Sequence, residues 1–163
     1  MTSITIGQAV TDFEISATGD KTIHLSDYVG KTVVLYFYPK DSTPGCTLEG
    51  QAFRDANEEF TSLNTVIFGV SRDSLRSHEN FKTKQCFNFD LLSDTEEKLC
   101  TLFDVIKMKN MYGKEVRGIE RSTFVIDTHG VLIKEWRKVK VKDHVAEVLG
   151  FIKNKLVSFV TRR

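Results

Sequence analysis

The sequence predicts an α/β protein with a central mixed β-sheet flanked by helices and an N-terminal β-hairpin. Three observations predict it. The apolar, β-branched runs Thr32–Tyr38 and Asn64–Ser71 show no polar alternation, as expected of strands covered on both faces. Segments of helical periodicity alternate with these runs, the β–α order of layered sheets. Runs of β-rich residues flank turn residues near both ends of the chain, which reads as two hairpins.

The elements follow in order. The first hairpin turns at Thr18–Asp20, and Pro39 stops the strand Thr32–Tyr38. From Cys46 to about Phe60 the residues Leu48, Ala52, Phe53, Ala56 and Phe60 recur at helical spacing, an amphipathic helix. After the strand Asn64–Ser71, the polar stretch Asp73–Cys86 predicts a surface helix with Leu75 and Phe81 inward. A short strand around Phe89–Asp94 precedes a helix over Thr95–Val105, with Leu99, Leu102 and Phe103 on one side. Ile106–Gly118 is basic and reads as a solvated loop. Arg121–Arg137 is a hairpin about His129–Gly130, and a last helix carries the stripe Val145, Val148, Leu149, Ile152 and Leu156.

Composition narrows the function. With 163 residues, 40% apolar and 28% charged, the chain reads as one soluble domain over 1–163. A net charge of +1 gives no footing for nucleic acid. No apolar stretch approaches the ~20 residues of a membrane span. The N-terminal stretch lacks a basic start and a long apolar run, so the expected location is cytoplasmic. The three cysteines, Cys46, Cys86 and Cys100, are widely spaced and form no CxxC or metal-ligand pattern. Thiol chemistry or burial is the reading, with neither metal nor organic cofactor.

Cys46 is placed for reactivity. In sheets of this kind reactive groups gather where strand C-termini meet helix N-termini. Thr43 suits an N-cap and Pro44 the first helical position, so the cysteine falls at about the third. There free backbone N–H groups and the positive end of the helix dipole favour a thiolate. Gly45 lets another group approach the backbone. Glu49, one turn on, can accept from N–H groups or orient a cation. Ionisation alone does little, however. A free cysteine is about 3% thiolate at neutral pH, so full ionisation gains about 30-fold, or ~2 kcal/mol. A fast enzyme must also stabilise charge on the leaving group.

Pro39–Lys40–Asp41–Ser42–Thr43–Pro44–Gly45–Cys46 fits the Pro-x-x-x-Thr-x-x-Cys pattern of the peroxiredoxins. The wider stretch Tyr38–Gly50 resembles their peroxiredoxin Q, or bacterioferritin comigratory protein, subfamily. Gly69–Ser74, Phe89–Asp94 and Met111–Asp127 extend the resemblance over nearly the whole chain. It implies a thioredoxin-like fold and thiol-dependent reduction of hydrogen peroxide and alkyl hydroperoxides, with thioredoxin or a similar dithiol as reductant. Cys46 would be the peroxidatic nucleophile, passing through a sulfenic acid. Thr43 would hydrogen-bond thiolate and peroxide, Pro39 and Pro44 would shape the pocket, and Arg121 would be the catalytic arginine. Glu49 would support an arginine or the helix start. The subfamily's habit favours a monomer.

The chain departs from the subfamily in its second thiol. Gln51 occupies the position, five residues after Cys46, where many members carry a resolving cysteine. Others carry it in the next helix, at a place aligning near Lys82, one turn before Cys86. Cys86 is therefore a candidate resolving cysteine, a buried bystander, or irrelevant to a one-cysteine enzyme. Joining it to Cys46 would require unwinding of the active-site helix. Cys100 sits in an apolar stripe and reads as core. His24, His78, His129 and His144 show no tie to Cys46, and Met108, Met111 and Tyr112 read as loop or packing residues. Two rival readings are a general disulfide oxidoreductase, which the absence of CxxC opposes, and a non-catalytic redox sensor.

Overall fold

Thr32–Phe37 (β3) is apolar at every position after the first because both its faces are covered. Val33, Leu35 and Phe37 point into one core; Val34, Tyr36 and the following Tyr38 point into another. The computed structural model describes residues 3–161, with side chains as far as 156, so the first two residues of the stretch read for a leader lie outside it. The remaining strands are Glu14–Ala17 (β1), Lys21–His24 (β2), Thr65–Ser71 (β4), Asp90–Ser93 (β5), Ile106–Met111 (β6), Lys114–Ile119 (β7), Ser122–Ile126 (β8) and Leu132–Trp136 (β9). Helices span Pro44–Ser62 (α1), Leu75–Gln85 (α2), Lys98–Leu102 (α3) and His144–Thr161 (α4).

The seven-stranded sheet runs β2-β1-β5-β4-β3-β8-β9. Strands β3, β4 and β5 are parallel, and the two flanking hairpins join them through the antiparallel strands β1 and β8. Both predicted hairpins are thus present, in the expected mixed sheet. One core lies between the sheet and α1, α2 and α4, around Tyr36, Phe53, Phe60 and Phe81. The other lies on the opposite face with α3, around Phe37, Phe103 and Phe124.

Several expectations are corrected. Ile106–Gly118 is no loop: β6 and β7 form a separate two-stranded ribbon, turning at Tyr112 and Gly113, both at positive φ. Its residues are mostly exposed, so no hydrophobic alternation marked it. The helix expected over Thr95–Val105 shrinks to Lys98–Leu102 because Glu97 and Asp104, at φ 59° and 52°, bound it. Leu48 and Leu75 face solvent, and Leu156 is 41% exposed. In α1 the inward positions go to Cys46, Glu49, Gly50, Phe53 and Phe60; in α2 His78 lies inward with Phe81.

His144, at the start of α4, is buried against Trp136 and Phe53, with Nε2 2.8 Å from the Thr123 hydroxyl. Burial, helped by the charge of Arg121, pushes its pKa down to about 4. The unfolded chain therefore binds one more proton than the native chain between about pH 4 and 6.5. The stabilising contribution is full above the unfolded value and is lost as pH falls, a change of about 3 kcal/mol. Urea unfolding across this range should show that loss, and His144→Gln should flatten it; an unchanged slope would count against the assignment.

Candidate active site

Strand pairing brings the site together. Phe37, the last residue of β3, pairs with Ser122, the first of β8. Arg121 precedes Ser122, so it lies beyond the C-terminal edge of β3, where the chain crosses Pro39–Thr43 into α1. Its backbone carbonyl accepts from Val139 N. Its guanidinium spans two side chains of α1: Nη2 is 3.4 Å from Cys46 Sγ, and Nη1 donates to Glu49 Oε1 at 2.6 Å. Cys46 is 1% exposed and Glu49 0%. The three residues singled out from sequence as nucleophile, cation and support are therefore in one contact chain.

Gly45 makes room for this arrangement. A Cβ there would lie 3.3 Å from Arg121 Nη2, so any other residue would press on the guanidinium. Burial raises Glu49 to about 7, against the downward pull of Arg121's charge and hydrogen bond. Oε2 of Glu49 and the hydroxyl of Tyr36 are buried without a protein partner. Tyr36 is held well above its usual range, first by burial and then by the charges of Glu49 and Cys46.

Thr43 occupies the N-cap with extended backbone (φ −90°, ψ 155°), and Pro44 opens α1. Its hydroxyl does not cap the helix or reach the sulfur, however. It donates to the Lys40 carbonyl at 2.8 Å, leaving its lone pairs able to accept from a peroxide O–H. Pro39 is half-buried and Pro44 exposed at the rim.

A second cluster, missed by sequence reasoning, clamps the approach loop. Asp41 Oδ1 accepts from Tyr38 Oη at 2.6 Å, and Oδ2 accepts from Ser77 Oγ at 2.8 Å. His78 Nδ1 lies 2.7 Å from the same Oδ2, and its Nε2 lies 2.9 Å from the Leu92 carbonyl. Asp73 Oδ2 accepts from Asp41 N and Ser71 Oγ. The carboxylate oxygens of Asp41 and Asp73 and a ring nitrogen of His78 lie within 4.8 Å of one another, but these hydrogen bonds occupy them, and the cluster is a latch between loop and α2. His78, three residues before the inward Phe81 and so on the same face of α2, was the one local hint, its partner lying 37 residues away.

Cys86 ends α2 as an exposed C-cap in left-handed conformation (φ 56°, ψ 40°). Beside it, Gln85 contacts α1: its Oε1 accepts from Gln51 Nε2 at 2.9 Å and its carbonyl from Arg54 Nη1 at 2.8 Å. Phe87 packs so closely on Gly50 that a Cβ there would lie 2.3 Å from the ring. The residues on either side of Cys86 are thus held against the second and third turns of α1, and both thiols are free. Lys82, at the subfamily's alternative position, pairs with Asp90 at 2.8 Å. Cys100 is fully buried, and burial with nearby Asp94 pushes its thiol well above the usual range, as core residence predicted.

A buried sulfur at a strand–helix junction, touched by an arginine that a buried glutamate holds, defines a thiol enzyme on a thioredoxin-like sheet. Residues 6–135 match the AhpC/TSA family. Peroxiredoxin Bcp of Bacillus subtilis is 57% identical over 93% of this chain and 97% of its own. A structure of Xanthomonas campestris peroxiredoxin Q superposes with TM-score 0.86 at 50% identity, covering 93% of this chain and 96% of that one. A mutant of Xylella fastidiosa PrxQ gives TM-score 0.90 at 42% identity over 96% and 99%. The chain belongs to the AhpC/TSA family, in its peroxiredoxin Q or Bcp branch, and is a thiol-dependent peroxidase.

Proposed function

We propose that Cys46 is the peroxidatic cysteine and that hydrogen peroxide and alkyl hydroperoxides are the substrates. The contact of Arg121 with both Cys46 and Glu49 carries this reading. A Xanthomonas campestris relative is described by its alkyl peroxide reduction activity. The thiolate attacks one peroxide oxygen, the O–O bond breaks, and water or alcohol leaves as Cys46 becomes a sulfenic acid. Arg121 offers planar, fixed donors to the thiolate and to the departing oxygen. Thr43 orients the peroxide by accepting its O–H, and Pro39 walls the approach.

Cys86 resolves the sulfenic acid in this reading, its thiol displacing water to give a Cys46–Cys86 disulfide. Supporting this are its exposure and its attachment, through Gln85 and Phe87, to the turns of α1 just beyond Cys46. Because Cys46 is buried, the first turns of α1 must unwind to join them. Thioredoxin or a similar dithiol then reduces the disulfide. The protein works as a cytoplasmic monomer; among the described residues no helix is long and apolar enough to cross a membrane.

Turnover assays test this reading. The protein should consume many equivalents of peroxide per thiol with a reductant present, where a sensor would stop after one. Cys86→Ser should lose most thioredoxin-supported turnover while keeping dithiothreitol-supported turnover. Peptide mapping after peroxide treatment should find the Cys46–Cys86 disulfide; Cys46 sulfinic acid with no disulfide would exclude Cys86 as resolver.

A further inference from the structure

Glu49 has a role beyond holding Arg121, and it rests on Cys46 being the peroxidatic thiol. The guanidinium is in direct contact with two groups that can each become anionic, Cys46 Sγ and Glu49 Oε1. Glu49 is 0% exposed, and its other oxygen has no protein partner among the described residues. Two anions on one guanidinium would leave an excess negative charge among buried side chains, which burial disfavours. We propose that Cys46 and Glu49 share a single proton across Arg121: when the thiol ionises, Glu49 becomes the carboxylic acid.

The neighbours agree with this charge balance. On β3, Tyr36 presents a neutral hydroxyl held well above its usual range, first by burial and then by Glu49 and Cys46. On α4, His144 is kept neutral by burial and by Arg121. On β6, Lys109 turns its ammonium to the Ile119 carbonyl; burial and Arg121 hold it below its usual range. Asp41 is committed to Tyr38, Ser77 and His78. Arg121 is thus the cation in contact with both groups, Lys109 being turned to a backbone carbonyl, and burial raises Glu49 to about 7, where it can exchange a proton at neutral pH.

The shared proton closes the reaction's balance. Cys46 thiol and Glu49 carboxylate interconvert with Cys46 thiolate and Glu49 carboxylic acid. Thiolate attack on hydrogen peroxide breaks the O–O bond, giving the sulfenic acid and hydroxide. The hydroxide takes the proton retained by the pair and leaves as water. Glu49 ends as carboxylate opposite a neutral sulfenic acid, so the pocket keeps its net charge throughout. Glu49 is thus a charge-balancing residue acting through Arg121.

The test is the proton stoichiometry of a single peroxide pulse in weakly buffered solution at neutral pH. It uses Cys86→Ser protein with the thiolate absorbance recorded beforehand. The expected uptake is close to zero protons per Cys46 oxidised, rising to about one in the Glu49→Gln, Cys86→Ser protein, where the thiolate has no acid partner. Equal uptake in the two proteins, or one proton in the first, overturns the proposal. Failure of Cys46 to oxidise at all would overturn the functional reading instead, so the two are separated.

Discussion

Cys46→Ser is expected to reduce peroxide turnover to the background of reductant alone, with dithiothreitol and with a protein dithiol alike. A serine hydroxyl is not ionised at neutral pH, and its oxygen cannot become a sulfenic acid. The substitution is nearly isosteric at a buried position, so native structure should survive and the loss should be chemical. No other thiol can take over. Cys100 is buried and held in its protonated form by its surroundings, and Cys86 lacks the arginine that contacts Cys46. The check is peroxide consumption by the purified variant, with native circular dichroism as control. Turnover within a few-fold of wild type would move the nucleophile elsewhere.

Much of this site was legible in sequence because its parts obey local rules. A proline that stops a buried strand, a threonine and proline that start a helix, and a cysteine in its first turn are adjacent in the chain. Arg121 was legible only through family resemblance, since an arginine before a strand carries no signal of its own. Its position became physical once Phe37 was seen paired with Ser122. Glu49 stood in the inward stripe of α1, but apolar periodicity had assigned that stripe to Leu48, which is exposed. A helical pattern built from leucines passes over a buried carboxylate whose cation arrives from another strand. The Asp41–His78 latch was hidden for the same reason, its partners being 37 residues apart. The β6–β7 ribbon escaped because neither face of it is buried enough to impose alternation.

Arg121→Ala should lower kcat/KM for peroxide by about 10²–10³-fold, the usual consequence of deleting a donor aimed at developing charge. The same substitution should destabilise the fold, which separates it from an ordinary active-site change. It leaves Glu49 buried with neither oxygen partnered by protein, which costs about 1–3 kcal/mol for the neutral carboxylic acid and more where the group must ionise. The sign of the pH dependence follows. Glu49 already titrates at about 7 with Arg121 present, above its unfolded value, so this group favours the fold at low pH. That contribution is lost as pH rises through the folded value. Without the cation the folded value moves higher still, and the deficit should widen from about pH 5 to about pH 8. Arg121→Lys should recover part of the stability, since the charge remains, but less of the rate, since a point charge cannot face sulfur, carboxylate and leaving oxygen together. Urea unfolding at both pH values, with kcat/KM measured on folded protein, distinguishes the two effects. A variant that loses stability yet keeps its rate per folded molecule would make Arg121 a structural brace for Glu49 and remove it from the chemistry.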